Sequence, residues 1–416
     1  MATSSIHDLC DHIDAFRDDM IELQRELCRI PALAPENGGD GEAQKAERLL
    51  NFIQDWGFDR IDLIQAPDDR VSAGYRPNIV AMLNGRRDEQ TLWIMSHLDV
   101  VPPGDLSKWS GDPWTLRIEG DRLIGRGTED NQQGLVSSLF AAKAFLDRHQ
   151  RPERNIGLLI VADEETGSQY GVQYLLKEHR QLFREHDLFI IPDAGVPDGS
   201  MIEIAEKSIL WLKFEIRGVQ THGSTPQEGR NAHKAGADLI VRLNELYQQF
   251  PANDPLFDPP ISTFEPTKKE ANVPNINTIP GEDIFYFDCR ILPQYDLTDI
   301  WQFVRDAARA VEKEHGVSVT ISSPQQEPAA PPTPADAPVV KAIQKAMLEL
   351  RGKPCKPMGI GGGTVAAYFR HAGLPAAVWA TIADVAHEPD EYCLITNMVE
   401  DAKIFAHVAL QTNLSG

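Results

Sequence analysis

The chain has 416 residues, of which 40 are Lys or Arg and 62 are Asp or Glu, so its formal net charge is −22. Hydrophobic residues make up 42% and charged residues 25%, a composition typical of a soluble globular protein. The length favours two domains, and the acidic excess argues against a nucleic-acid partner, which would require clustered Lys and Arg.

Further exclusions come from the cysteines and the first residues. The five cysteines are scattered and never spaced as Cys-x-x-Cys, which argues against a disulfide framework or a cysteine–zinc site. Residues 1–20 lack a cationic start followed by an apolar run, and no stretch reaches the roughly 18–20 apolar residues of a membrane span. We therefore expect a cytoplasmic protein without a membrane partner.

In the first half of the chain, helical and strand-like patterns alternate, which predicts an α/β fold with a mixed, largely parallel sheet covered by helices. Apolar runs without a polar face are typical of strands that are buried on both sides. The predicted helices are Asp8–Leu27, Gly41–Trp56 and Gln133–Arg148, and the predicted strands are Asn78–Leu83, Thr91–Ser96, Ile156–Ala162 and Leu188–Ile191.

After about Glu206 the pattern changes to a β-α-β-β-α-β order, which predicts an inserted α+β sandwich. Its predicted elements are the strand Ser208–Arg217, the helix Asn231–Phe250, the strands Ile261–Phe264 and Asn277–Arg290, the helix Leu297–His315 and the strand Val317–Ile321. A Pro-rich segment that begins at Glu327 has the composition of a linker, and the α/β pattern returns after Pro338. We expect a discontinuous domain of residues 1–206 and 325–416, interrupted by residues 207–324.

Three of the predicted strands end in side chains that can bind a metal. His97 and Asp99 follow one strand, at the kind of carboxyl end where α/β proteins place their sites. Taken alone, His97 would simply end a strand, and adjacent acids such as Glu164 and Glu165 usually belong to a solvated surface. After a buried strand, one of these acids can bind a metal while the other handles a proton. Asp193 follows another strand in the same way.

Two further motifs complete the set. The turn Gly125-Arg126-Gly127-Thr128-Glu129-Asp130 resembles a fragment of a phosphate loop, but no Lys follows and no strand directly precedes it. A tight turn that presents Asp130 is the better interpretation, because one carboxylate can bridge two cations. His387, in His387-Glu388-Pro389-Asp390-Glu391, would otherwise be a lone surface histidine.

In their order and spacing, these five motifs resemble those of a family of metal-dependent amide hydrolases. That family contains aminoacylase, acetylornithine deacetylase, succinyl-diaminopimelate desuccinylase, glutamate carboxypeptidase and carnosinase-like dipeptidases. The resemblance runs from about Ile21 to Phe405 and includes Val100-Val101-Pro102 and the segment from Trp109 to Trp114. It implies a centre with two zinc ions, for which cobalt or manganese would also suit the ligands.

The resemblance assigns a role to each metal-binding residue. Asp130 would bridge the two ions. His97 and Asp193 would complete the coordination of one ion, and Glu165 and His387 that of the other.

The same resemblance implies three catalytic residues. Glu164 would be the general base that takes a proton from water and passes it to the leaving amine, and Asp99 would orient His97. The segment Gly218–Pro226 resembles the motif of a lid and dimerisation domain, in which His222 would stabilise the oxyanion, often from the partner subunit of a homodimer. Taken alone, His222 would be an ordinary loop histidine.

Four residues are implied to bind substrate. Asn277, followed by Thr278-Ile279-Pro280, resembles the family's substrate-binding Asn. Arg290 matches an Asp-x-Arg motif whose guanidinium holds a substrate carboxylate, although by itself it would be a surface charge. Gly363 and Thr364 belong to a Gly-rich loop whose backbone amides suit a carboxylate.

The sequence departs from the family pattern in three places. Many members carry Asp-Lys after the glycines of the bridging turn, where this chain has Glu129-Asp130-Asn131. Thr364 is followed by Val365 instead of Asp, and Asp390 replaces the Asn of the last motif.

Within the family, Asp at position 193 tends to accompany enzymes that recognise a free amino end, whereas Glu tends to accompany carboxypeptidases and deacylases. The leading hypothesis is therefore a zinc dipeptidase or exopeptidase that acts on small peptides. The alternative is a deacylase of N-acyl amino acids, of the acetylornithine deacetylase or succinyl-diaminopimelate desuccinylase type. A non-catalytic binding relative would have lost ligands or Glu164, and none is missing.

Overall fold

The computed structural model describes residues 6–412. Its α-helices are α1 (Ile6–Ala15), α2 (Arg17–Cys28), α3 (Ala43–Ile53), α4 (Gly134–Asp147), α5 (Val172–Glu178), α6 (Ala232–Leu243), α7 (Leu246–Gln249), α8 (Leu297–His315), α9 (Pro338–Arg351), α10 (Ala366–His371) and α11 (Ile395–Leu410). Its β-strands are β1 (Arg60–Pro67), β2 (Tyr75–Leu83), β3 (Arg87–His97), β4 (Arg117–Glu119), β5 (Arg122–Ile124), β6 (Arg154–Val161), β7 (Leu188–Gly195), β8 (Met201–Glu206), β9 (Ser208–Arg217), β10 (Thr221–His222), β11 (Thr263–Lys269), β12 (Thr278–Ile279), β13 (Glu282–Ile291), β14 (Ser318–Glu327), β15 (Lys356–Ile360), β16 (Ala376–Ala380) and β17 (Tyr392–Leu394). None of these helices is both long and apolar enough to cross a bilayer.

The largest sheet has eight strands in the order β1-β2-β6-β3-β7-β16-β8-β15. Its middle is parallel, with β3 between β6 and β7 and with β16 beside β7, while β1, β2 and β8 pair antiparallel with their neighbours. Helices α4 and α11 contact β6, and α9 contacts β7 and β16. The mixed α/β sheet covered by helices that the sequence predicts is therefore confirmed.

A second sheet has four strands in the antiparallel order β11-β13-β9-β14, and α6 and α8 pack on its apolar face. Alternation fixes that face, because Leu212, Phe214, Phe285 and Phe287 point into the core while the residues between them are more exposed. The described residues form two compact units, residues 6–204 with 332–357 and 368–412, and residues 205–331 with 358–367. The short stretch 358–367 thus joins the second unit, although the expected boundaries assign it to the first.

Several elements differ from the predicted ones. The first helix is interrupted at Phe16, between α1 and α2, and the strand expected from Asn277 is broken between β12 and β13 by Pro280 and Gly281. Strand β1 gave no signal because most of its residues are not buried. β14 continues to Glu327, so the extended chain reaches the start of the Pro-rich segment.

A candidate dinuclear metal centre

The parallel strands bring the predicted ligands of the first unit to one edge of the sheet. His97 is the last residue of β3, the central strand of three. Glu164 and Glu165 lie in a turn directly after the neighbouring β6, and Asp193 lies near the end of β7 on the other side. Because the carboxyl ends of parallel strands meet at one edge, residues far apart in sequence converge here.

Asp130 stands between the two histidines. Its Oδ1 lies 2.9 Å from Nε2 of His97, and its Oδ2 lies 3.0 Å from Nε2 of His387. The same nitrogen of His97 is 3.3 Å from Oδ1 of Asp193, and that of His387 is 3.2 Å from Oε2 of Glu165. One carboxylate thus faces two separate groups of ligands, one with each of its oxygens.

The ligand atoms also fall into compact groups. Those of His97, Asp130 and Glu165 lie within 4.8 Å of one another, as do those of His97, Glu164 and Asp193. Glu164 is therefore close to His97 and Asp193, and its Oε2 is 4.0 Å from Nε2 of His97.

The chemistry of this cluster fits divalent cations. Burial, with the nearby carboxylate of Asp130, raises the pKa of Glu165 to about 7, and burial with Asp193 raises the pKa of Glu164 well above its usual value. Oε1 of Glu165 is buried and has no hydrogen-bond partner among residues 6–412. Cations among these groups would relieve the repulsion and satisfy that oxygen, and imidazole with carboxylate is a ligand set typical of zinc.

The histidines respond to the same carboxylates. Hydrogen bonds with Asp130 and Glu165 raise the pKa of His387 to about 10. Burial would lower the pKa of His97, but hydrogen bonds with Asp130 and Asp193 outweigh it and raise that pKa well above its usual value. Both imidazoles are therefore surrounded by negative charge, which also attracts cations.

Asp99 orients His97 differently from what the sequence analysis expects. Nδ1 of His97 donates to the backbone carbonyl oxygen of Asp99 at 3.0 Å, while the carboxylate lies farther away, with Oδ1 at 3.6 Å. This bond leaves Nε2 as the nitrogen that can bind a metal. The Asp99 carboxylate instead accepts the backbone N–H groups of Glu164 at 3.1 Å and of Glu165 at 3.0 Å.

Two residues next to predicted ligands have structural roles that the sequence analysis did not assign. Arg126 pairs with Glu391 at 2.6 Å, where both side chains are buried, and also donates to the backbone carbonyl oxygen of His387 at 3.3 Å. Arg126 and Glu391 both lie within quoted motifs, but nothing in those motifs indicates that they pair with each other.

Asp390 and Asn131, which both depart from the family pattern, form hydrogen bonds with nearby residues. Asp390 accepts from Arg117 at 2.9 Å and from the backbone N–H of Ser110 at 3.0 Å, so its additional charge is compensated. Nδ2 of Asn131 donates to Oδ1 of Asp193 at 2.7 Å and thereby holds a predicted ligand.

In the second unit, His222 and Asn277 are neighbours. Strands β10 and β12 pair His222 with Thr278, and the carbonyl oxygen of Asn277 accepts from Gly223 at 2.6 Å. His222 is exposed, and its Nδ1 accepts the backbone N–H of Ser224 at 3.2 Å. In the tautomer in which Nδ1 accepts this bond, Nε2 carries the proton and can act as a donor.

The other predicted substrate residues form a second group in this unit. Arg290 donates to Asp288 through Nε at 2.6 Å and Nη2 at 3.0 Å, and through Nη1 to the carbonyl oxygen of Gly361 at 3.0 Å. Thr364 donates to Glu206 through its backbone N–H at 2.8 Å and through its hydroxyl. Gly363 lies close to Glu327. A substrate carboxylate at Arg290 would share the guanidinium with Asp288.

Comparisons with known proteins identify the family of this chain. The sequence pattern of peptidase family M20/M25/M40 matches residues 93–411. An uncharacterized metallohydrolase of Methanocaldococcus jannaschii is 37% identical over 405 residues, which cover 94% of this chain and 98% of that protein. A succinyl-diaminopimelate desuccinylase of Cereibacter sphaeroides is 28% identical, covering 90% of this chain and 93% of its own. The crystal structure of human carnosine dipeptidase 1 has the same fold, with a TM-score of 0.72, 18% identity and 99% coverage of both chains.

Proposed function

Because this chain belongs to peptidase family M20/M25/M40 and is a metallohydrolase, we propose that it hydrolyses an amide bond in a small peptide with two divalent metal ions. The observation that carries the proposal is Asp130, whose two oxygens face His97 on one side and His387 on the other. A carboxylate in this position is suited to bridge two cations.

The residues that would hold the cations follow from these contacts. His97 and Asp193 would complete the site of one ion, and Glu165 and His387 that of the other. We propose zinc as the metal, because imidazole and carboxylate ligands suit it, although cobalt and manganese are compatible with the same set. When bound, the cations supply Lewis acidity, which lowers the pKa of a water molecule and polarises the scissile carbonyl group.

Proton transfer falls to Glu164. Its carboxylate would take a proton from the attacking water and deliver it to the leaving amine, a role that needs a group able to hold a proton near neutral pH. Burial raises the pKa of this carboxyl in the required direction. Asp99 fixes the turn that carries Glu164, because its carboxylate accepts the backbone N–H groups of both Glu164 and Glu165.

His222, in the segment that resembles the lid motif, has a role in the same proposal. Nε2 of His222 is an exposed donor, as oxyanion stabilisation requires, and we propose that it acts in a homodimer, where it would serve the partner subunit. His222→Ala should lower kcat more than it raises KM, since this bond would form only in the transition state. An unchanged kcat would remove His222 from the mechanism.

A specific observation supports deacylation of N-acyl amino acids as the second candidate. The desuccinylase of Cereibacter sphaeroides is similar along 90% of this chain. Asp193 supports the peptidase instead, through the tendency of Asp at this position to accompany recognition of a free amino end. The two candidates use the same metal centre and differ in the end of the substrate that is recognised.

A substrate panel with metal-loaded protein separates the two. The panel holds free dipeptides, dipeptides with a blocked amino end, and N-acetyl and N-succinyl amino acids, each with a chelator control. Chelator-sensitive cleavage of free dipeptides alone would support the peptidase. Cleavage of acylated amino acids with dipeptides untouched would assign a deacylase, and no chelator-sensitive cleavage of any amide would contradict both.

A further inference from the structure

Two loops of the first unit carry ligands from distant parts of the sequence. The first, residues 125–131, follows β5 and carries Asp130. The second, residues 381–391, precedes β17 and carries His387. Strands β5 and β17 pair antiparallel, with Ile124 opposite Tyr392, so the two loops leave the same point of a small sheet. Strand pairing brings the loops together but does not by itself fix their tips.

Glu391 ties the second loop to the first. Its carboxylate accepts the backbone N–H groups of Gly127 at 3.1 Å, Glu129 at 2.9 Å and Asp130 at 3.1 Å. It also accepts from the Arg126 guanidinium at 2.6 Å and is fully buried. The backbone that presents Asp130 is therefore held by a side chain from the loop that presents His387.

Glu129 makes the reverse connection. Its side chain is buried, and its carboxylate accepts the backbone N–H of Val385 at 2.7 Å and that of Ala383. These donors stand on either side of Asp384, which has a left-handed φ of 65°. The loop that presents His387 is therefore held by a side chain from the loop that presents Asp130.

The second loop needs such a restraint because of its backbone. Asp384, His387 and Asp390 all have positive φ, at 65°, 65° and 55°. Residues with a side chain rarely adopt this region, and they persist in it only where the surroundings hold them. Without the bonds to Glu129, the segment leading to His387 would be free to leave this conformation.

We propose that Glu129 and Glu391 form a reciprocal carboxylate clamp that fixes the distance between Asp130 and His387 and thereby the affinity for the cations that these two residues would bind. Both are positioning residues, and the inference rests on the ligand roles proposed for Asp130 and His387. A carboxylate is required at each position because both of its oxygens accept. A carboxamide would point its NH2 group at a backbone N–H and lose one of the bonds.

The test compares the affinity of metal binding in matched variants. Glu129→Gln and Glu391→Gln are loaded with zinc, and both dissociation constants are measured by competition with a chromogenic chelator. Outer residues that hold ligands typically change metal affinity on the order of 10- to 100-fold. We expect that loss for the ion that His387 would hold in Glu129→Gln, and for both ions in Glu391→Gln, because Asp130 would bridge them. The visible spectrum of the cobalt-loaded variants should change for the ions affected in each case, since their ligand geometry changes.

Asp187→Asn is the matched control. Asp187 is a buried carboxylate of the same unit that also accepts backbone N–H groups, from Thr91 at 2.8 Å and from Arg184 at 2.9 Å. Its loss should lower stability without changing either metal constant. An equal loss of affinity in Asp187→Asn would overturn the clamp, because general destabilisation would then account for the effect.

Two further variants keep the outcome decisive. Glu129→Asp retains both acceptors but is one methylene shorter, so we expect weaker binding of the same ion even if Glu129→Gln does not fold. Binding of wild-type strength in the folded Glu129 variants would overturn the clamp. Asp130→Asn tests the foundation separately, because unchanged metal binding there would refute the ligand assignment.

Discussion

In the second unit, the buried face of the four-stranded sheet is apolar, whereas around the metal-ligand cluster of the first unit many of the buried side chains are carboxylates. In the second unit, the aromatic rings of Phe214 and Phe285 stack with their centroids 4.8 Å apart. In the first unit, the carboxylates of Asp99, Glu129 and Glu391 are buried and accept backbone N–H groups. Apolar contacts can be replaced by others of similar volume, but a carboxylate that accepts backbone N–H groups cannot. Substitutions in the core of the second unit should therefore affect mainly stability. Substitutions of the carboxylates around the candidate metal ligands should affect mainly activity.

The largest effect is expected for Glu164→Gln, which keeps the shape of the side chain but cannot accept a proton. Turnover of the best substrate should fall by about 10²- to 10⁴-fold while metal content stays normal. The adjacent Glu165→Gln is the matched comparison and should lose one ion, as metal analysis after dialysis would detect. Substantial turnover in a fully loaded Glu164→Gln protein would contradict the general-base role.

Phe285→Ala tests the expectation that substitutions in the core of the second unit affect mainly stability. Phe285 is buried and stacks on Phe214, so the free energy of unfolding should fall by about 3–5 kcal/mol, as urea titration would measure. Metal content should not change. Thr267→Ala on the neighbouring β11 is an exposed control that should shift the free energy by less than about 0.5 kcal/mol. Loss of metal from folded Phe285→Ala would show that the two regions are not independent.

Lys45 gives a pH-dependent test, since it is a cation buried in the carboxylate-rich unit. Burial lowers its pKa from 10.5 to about 8, although nearby carboxylates such as Asp99 act in the opposite direction. Below pH 8 the folded and unfolded chains both hold the proton, and the folded chain bears the cost of a buried ammonium. Between pH 8 and 10.5 only the unfolded chain holds it, so stability rises with pH.

Relative to Lys45→Met, the free energy of unfolding of the wild type should therefore rise by up to about 3 kcal/mol across this range. Guanidinium titrations of both proteins at pH 7.5, 9 and 10 would measure the difference. A difference that is constant with pH would show that Lys45 is not buried as an ammonium.

The smallest effect is expected for Asp99→Asn. Its carboxamide can accept only one of the N–H groups of Glu164 and Glu165, so turnover should fall on the order of 10- to 100-fold. Asp105→Asn is the control, because Asp105 accepts the backbone N–H of Ser107 at an exposed turn and should leave turnover unchanged. Equal turnover in the two variants would contradict the expectation that the buried carboxylates around the candidate metal ligands affect activity.

The sequence predicted the elements whose signal is local. The helix Leu297–His315 was predicted with its observed ends, because its apolar residues keep helical spacing along the whole length. The strand Ser208–Arg217 was likewise predicted with its observed ends, because its apolar residues alternate. His97, Glu164, Glu165 and Asp193 were found because each stands at or directly after a buried strand, and the structure brings all four together.

Tertiary structure decided what depends on residues far apart in the chain. Strands β2 and β3 flank the turn at Asn84 and Gly85 but do not pair with each other, since β6 lies between them. Glu129 was not recognised because its partners, Ala383 and Val385, lie more than 250 positions away. Periodicity and strand ends are properties of a short segment and can be read from it. A hydrogen bond between two loops depends on the positions of both loops, and only the complete fold determines those positions.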